Sequence, residues 1–280
     1  MRPRVPASVV LAAVLLGGCA QSVDPIERLG KKAAQRVRHT PSASQPYRRW
    51  GLDTPLRPAP RSAPSPTPSP SLPPVPARPA PRTAGPGLAP VLDHVHTTDK
   101  VVFLTYDDGA QKDLRLIEMV RELRLPVSVF LTDGALGPGH GHFSRLQSVG
   151  ATVQNHTLGH PSLRDLPYAG QRAEICGRQR RLRSRFGHRP RLLRPPYGTY
   201  GTVTRRAAAA CGVSAIVLWR AAMGPAGLAY THGVHRLRPG DIVAVGPDEP
   251  AGTPLPERTA RLLRRVQREG LTVGRLEDYL

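Results

Sequence analysis

The chain runs to 280 residues and carries 40 Lys or Arg against 20 Asp or Glu, a net charge of +20 at pH 7, with only 5% aromatic residues. The excess divides evenly, +10 up to residue 90 and +10 beyond, and with so few aromatics among the cations it does not describe a nucleic-acid surface. An anionic cell-wall polymer or lipid headgroups suit it better as partners, as does plain solvation of an arginine-rich surface.

In chain order, Arg2 and Arg4 precede an apolar run over residues 5–16, shorter than the roughly 20 residues a bilayer span needs. It reads as a cleaved export signal covering residues 1–18. Leu16-Gly17-Gly18-Cys19 resembles the end of a bacterial lipoprotein signal, which implies lipidation of Cys19 and a mature protein anchored at the cell surface, on the outer face of the membrane. No later segment is long and apolar enough to cross a bilayer. Residues 19–90 show no sustained apolar period, and from residue 55 onwards Pro, Ala, Ser and Arg dominate. Such a composition buries too little surface to offset chain entropy, so a disordered stalk is expected there.

Residues 91–280 suit one domain with a sizeable core. Strand-like runs at 101–105, 127–131, 152–155, 192–194, 215–218, 242–245 and 271–273 alternate with helical patterns at 113–124, 143–148, 168–186, 203–210 and 256–269. That alternation predicts an α/β fold on a parallel sheet, open or closed into a barrel. Cys176 and Cys211 fall on two of the predicted helices, either as a disulfide or as two buried thiols, and lack the spacing of a zinc knot.

The first of these strands ends in Thr105-Tyr106-Asp107-Asp108-Gly109. The glycine lets the chain turn, so both carboxylates sit at a strand's C-terminal mouth, the rim where α/β folds assemble catalytic groups. There they either form an ordinary polar turn or divide the work, one binding a metal and the other taking a proton. Past the third strand stands Asn155-His156-Thr157-Leu158-Gly159-His160. Two histidines four apart can chelate one ion, and a carboxylate completes a facial site with positions open to water. The fourth strand ends in Arg194-Pro195-Pro196-Tyr197-Gly198, where the arginine can pair with a carboxylate and the prolines stiffen a turn that offers the Tyr197 N–H.

In this order and at these separations the three motifs resemble the signature of the polysaccharide deacetylases, the NodB-homology domain of carbohydrate esterase family 4, over about residues 100–280. The resemblance implies a distorted (β/α) barrel and a divalent metal, zinc before cobalt, manganese or nickel, held by Asp108, His156 and His160. It implies Asp107 as general base oriented by Arg194, and the metal with the Tyr197 N–H stabilising the oxyanion as water attacks an acetamide carbonyl. Trp219 matches the family's hydrophobic wall for the acetyl methyl.

The chain also departs from that pattern. The family places an aspartate soon after the tryptophan, and this acid orients a late-strand histidine, in a Leu-x-His pattern, that protonates the leaving amine. Here Arg220-Ala221-Ala222-Met223 follows the tryptophan, and Gly246 stands where the histidine is expected. If the protein turns over, Asp248, beside Glu249, is the expected replacement acid, against a solvated loop with water as the donor. His232 and His235 precede the strand and are expected at its opposite end. The implied function is removal of N-acetyl groups from an N-acetylated amino-sugar glycan, peptidoglycan or chitin-like, and the alternative is a wall-binding protein that keeps the metal and has lost turnover.

Overall fold

Six consecutive buried residues, Val101–Tyr106, require a strand covered on both faces and paired on both edges. The computed structural model describes residues 45–60, 87–110, 113–134, 141–187, 189–246 and 252–280, and places this strand, β2, at the centre of a sheet that curls into a half-barrel. The other strands are β1 (Val91–Leu92), β3 (Val127–Leu131), β4 (Thr152–Asn155), β5 (Leu192–Leu193), β6 (Ala215–Val217), β7 (Ala221–Gly224), β8 (Gly227–Tyr230), β9 (Ile242–Val245) and β10 (Thr272–Val273). Their order is β1-β6-β5-β4-β3-β2-β9-β7-β8, with β10 also paired to β2, and all pairs are parallel except β7 with β8.

Register decides what reaches the rim. Tyr106 is level with Val129 and Val245, Leu131 with Asn155, and Asn155 with Leu193. The residues that follow these strand ends, Asp107, Thr132, His156 and Arg194, therefore leave the sheet on one side together.

The helices cover the sheet. Helix α1 is Pro46–Arg49, α2 Leu114–Leu123, α3 Gly141–Ser148, α4 Tyr168–Phe186, α5 Thr202–Ala210 and α6 Leu255–Arg268. Asp113 caps α2 by accepting from the backbone N–H of Arg115 and Leu116, and Gly187, at φ 71°, ends α4. Leu116, Met119, Val120, Leu262, Leu263 and Val266 of α2 and α6 share one core with β2, β3 and β9, while α4 and α5 share a second through Ile175, Ala207 and Ala208. Cys176 of α4 and Cys211 are joined in a disulfide. Among the described residues no helix is long and apolar enough to cross a membrane.

Three sequence expectations need correction. Residues 45–60, assigned above to the stalk, are folded onto the body: Trp50 and Leu52 enter the larger core, the Trp50 indole N–H donates to Glu122, and Arg49 pairs with Glu118 and Glu122. Two apolar side chains suffice to dock a segment with no apolar period. Second, β7 and β8 form a hairpin that the reading missed, because Ala-Ala-Met-Gly and Gly-Leu-Ala-Tyr are poor in β-branched residues. Third, Arg194 and Leu218 sit just past their strands rather than in them. The export signal, Cys19, residues 20–44 and 61–86 of the stalk and the Asp248 and Glu249 pair lie outside the described residues.

Docking of the early segment predicts a cost that a loose stalk would not show. Trp50→Ala is expected to lower stability by about 3–5 kcal/mol in chemical denaturation, the range for removing a buried aromatic. A denaturation midpoint equal to wild type would contradict the docking.

Candidate active site

An arginine with no exposed surface must spend its donors inside the protein. Arg194 is at 0% exposure; its Nη1 donates to Asp107 Oδ1 at 2.9 Å and its Nη2 to Thr105 Oγ1 at 2.8 Å. Nε and Nη2 also reach the carbonyls of Val217 and Leu218, each at 3.3 Å. The guanidinium lies over the Phe130 ring at 4.4 Å and the Trp219 ring at 5.2 Å from the centroids, favourable faces for a desolvated cation. Asp107 is thereby fixed at the rim with its carboxylate still 28% exposed.

Asp108 turns to a different partner. Its Oδ1 accepts from the Thr132 backbone N–H at 2.9 Å and its Oδ2 from the Thr132 hydroxyl at 2.6 Å. Nearby, the buried Arg178 of α4 donates to the Leu131 carbonyl and to Asp133. Burial pushes its pKa down to about 10, against the opposing pull of the Asp108 charge.

His156 is buried, and its Nδ1 stands 2.7 Å from the Arg194 carbonyl. A carbonyl oxygen only accepts, so Nδ1 carries the proton and Nε2 keeps the lone pair. Burial holds His156 below its usual range, with Asp107, the Arg194 carbonyl and Asp108 acting the other way. The His160 ring lies 4.9 Å from that of His156, and the Tyr197 ring meets His160 edge-on at 4.8 Å.

The turn between the histidines is strained: Thr157 has φ 74° and His160 φ 61°, left-handed values that cost a non-glycine residue roughly 1–2 kcal/mol each. Hydrogen bonds hold it in place. Asn155 Oδ1 accepts from the Thr157 N–H, Thr157 Oγ1 from the His160 N–H, and Glu174 of α4 from the N–H groups of both Leu158 and Gly159. Tyr197, at φ 58° within the Pro196–Gly198 turn, is 68% exposed, and Trp219 packs on Gly198, where an added Cβ would come within 3.3 Å of the indole.

Asp107, Asp108, His156, His160, Tyr197 and Trp219, with Pro195 and Gly198, thus line one open pocket of about 390 Å³. One carboxylate and two imidazoles are the donor types of a divalent metal centre, and a His156 Nδ1–H tied to a carbonyl is the outer support that such imidazoles have. The residues fit the ion in kind, and three side chains at one pocket can supply it. As placed, however, no three His, Cys, Asp or Glu side chains among the described residues form a ready-made metal cluster.

At the late strand, the Gly246 N–H donates to the Met223 carbonyl, and Arg258 is its nearest side-chain neighbour. Gly246 brings no ionisable group, and Asp248 beyond it is outside the described residues. His232 lies at the far end, as its position predicts: Arg220, paired with Asp241 just before β9, donates to the carbonyls of His232 and Val234. Sequence reasoning had Thr105 and Asn155 inside its motifs without giving them a role, and it missed Thr132 and Glu174. Thr132 had a signal, a polar residue at a strand's C-terminal end, whereas Glu174 had none.

A family model described as polysaccharide deacetylase matches residues 94–216. A protein of Streptomyces coelicolor, described as uncharacterized, is 60% identical over 194 residues, covering 69% of this chain and 78% of that one. The peptidoglycan-N-acetylglucosamine deacetylase of Bacillus cereus is 26% identical over 99 residues, which are 35% of this chain and 36% of that enzyme. Among solved structures, a family 4 carbohydrate esterase pseudoenzyme from Bacillus anthracis superposes with a TM-score of 0.58 at 17% identity, covering 69% of each chain. By these matches and its curled half-barrel, the chain belongs to the polysaccharide deacetylase family.

Proposed function

We propose that this protein is a metal-dependent hydrolase that removes N-acetyl groups from an N-acetylated amino-sugar polysaccharide, peptidoglycan or a chitin-like glycan, at the cell surface. The observation that carries this reading is the buried Arg194 guanidinium fastened to Asp107, because a protein that only held sugar needs no fixed, half-open carboxylate beside two histidines. Family membership and the named Bacillus cereus deacetylase support the same substrate class. Lipid attachment at Cys19 would tether the protein to the membrane, after loss of residues 1–18.

Asp108, His156 and His160 would hold the ion, and zinc suits that donor set. Bound there, it would supply Lewis acidity to the water and to the acetamide carbonyl. Asp107 takes a proton from the water as the new C–O bond forms, and Arg194 keeps the carboxylate aimed and its charge matched. The Tyr197 N–H meets the negative charge growing on the carbonyl oxygen, and Trp219 walls the side that takes the acetyl methyl. As the C–N bond breaks, the amine needs one proton. Gly246 has none to give, so Asp248 or water provides it, and water makes turnover slow. That same glycine favours the second reading, a glycan-binding protein that keeps its metal and no longer turns over.

Acetate release from N-acetylglucosamine oligomers, with zinc supplied, separates the two. Wild type is expected to release acetate and Asp107→Asn to lose about 10²–10⁴-fold in rate, the usual worth of a general base. No acetate from wild type would leave only the binding reading, and an Asp107→Asn variant at full rate would remove the base. Among the described residues, a Cβ at Gly246 would meet Arg258 Nη1 at 3.6 Å and the Met223 carbonyl at 3.7 Å, ordinary contacts. Gly246→His is therefore expected to fold and to raise the rate, and an unchanged rate would mean that a missing acid is not what limits it.

Acidity supplies a further check. The fold holds His156 neutral, whereas the unfolded chain protonates it below the ordinary value near 6.5. The unfolded state then binds more protons, so the metal-free protein is expected to lose stability as pH falls below about 6.5. Melting temperatures at pH 7.5 and 5.5 should show a smaller drop in His156→Gln than in wild type; equal drops would place the linkage elsewhere.

A further inference from the structure

We propose that Glu174 is a positioning residue that clamps the histidine-bearing turn from α4 and thereby sets how tightly the pocket binds its metal, a role that rests on the metal-dependent reading above. The turn from His156 to His160 contains two non-glycine residues at positive φ, so it does not hold its shape through backbone preference. Two of its restraints are local to the strand-to-turn segment itself: Asn155 Oδ1, at the end of β4, accepts from the Thr157 N–H, and Thr157 Oγ1 accepts from the His160 N–H. Glu174 is different. It belongs to a 19-residue helix and accepts from two successive N–H groups, Leu158 at 2.9 Å and Gly159 at 2.8 Å, on a single carboxylate oxygen, Oε2. A charged acceptor facing consecutive backbone donors makes bonds about twice as strong as neutral ones.

The same stretch of α4 supports the turn at three further places, once directly and twice through residues that bond to it. The Ile175 carbonyl accepts from Asn155 Nδ2 at 3.0 Å, fixing the side chain that in turn holds Thr157. Leu158 is seated so closely on Gly177 that a Cβ there would come within 2.5 Å of Leu158 Cδ1. Arg178 reaches across to the Leu131 carbonyl and Asp133, and the Asp133 N–H donates to the Leu158 carbonyl. The disulfide from Cys176, two residues past Glu174, ties this part of the helix to the end of α5. The imidazoles are thus positioned by a helix that contributes no residue to the pocket lining.

The test uses the whole protein, stripped of metal and titrated with zinc against a chromophoric chelator, beside amide hydrogen exchange of the metal-free form. Glu174→Ala is expected to bind zinc about 10–100-fold more weakly, the usual loss when the outer support of a metal ligand is removed. It should also exchange the Leu158 and Gly159 amides faster while Val153 in β4 stays protected. Zinc affinity within twofold of wild type overturns the clamp, even if the melting temperature falls, because a purely structural role would move only the latter. Should Glu174→Ala not fold, Glu174→Gln decides: it keeps an acceptor oxygen and loses the charge, so affinity at least about threefold weaker is expected and wild-type affinity overturns the proposal. Wild-type protein that binds no zinc removes the metal reading instead, and the clamp then stands or falls on whether those two amides exchange faster in the variant.

Discussion

The buried guanidinium of Arg194 is the contact on which the site's geometry depends. Its side chain joins Asp107 and Thr105 at the end of β2, the Val217 and Leu218 carbonyls at the end of β6, and the Phe130 ring of β3, while its own carbonyl receives the His156 Nδ1–H. One residue therefore sets both the direction of the candidate base and the tautomer of a candidate metal ligand. The pair with Asp107 also satisfies a cation that has no exposed surface, and removing one partner of such a pair typically costs about 3–5 kcal/mol. Stability and site geometry are coupled in this residue.

Around that contact the rim is supported in two layers. Parallel register brings the ends of β2, β3, β4 and β5 out at one side, which fixes where each backbone leaves the sheet. Side chains outside the pocket then fix the directions: Thr132 turns Asp108, and Glu174 and Asn155 hold the histidine turn. The far end of the barrel is held by other means. There Arg220 is paired with Asp241, both fully buried, and donates to the carbonyls of residues 232, 234 and 236, while Glu277 accepts from Ser128, Thr152 and Gln154. Arg220 stands where the family pattern leads one to look for an acid, and its side chain is spent on Asp241, just before β9.

What the sequence made legible was whatever short-range chemistry decides. The helix at 168–186 was legible from its local pattern, β2 from its run of apolar and β-branched residues and the glycine after Asp108, and the three motifs from residue types that have few uses together at a strand mouth. What stayed hidden needed a partner distant in the chain. Ala221–Gly224 becomes a strand because β9 lies beside it, not because alanine and methionine favour one. Trp50 looked like part of a polar tail because its destination is distant in the chain, 72 residues away at Glu122 and farther still at α6. Glu174 read as one more charge on an arginine-rich helix, since the turn it meets is fixed only by the fold.

The docked segment changes what a cut in the chain would do. Residues 61–86 are rich in proline and alanine, and the chain is held at both ends of that stretch. Before it, Trp50 and Leu52 sit in the core and Gln267 bonds Thr54; after it, Ala89 is buried and its N–H donates to the Arg205 carbonyl. A single nick between them would leave two polypeptides joined as strangers are in a complex, through packing, hydrogen bonds and ion pairs, with the smaller still in place. Such a protein would run as two bands on a denaturing gel and as one particle in solution.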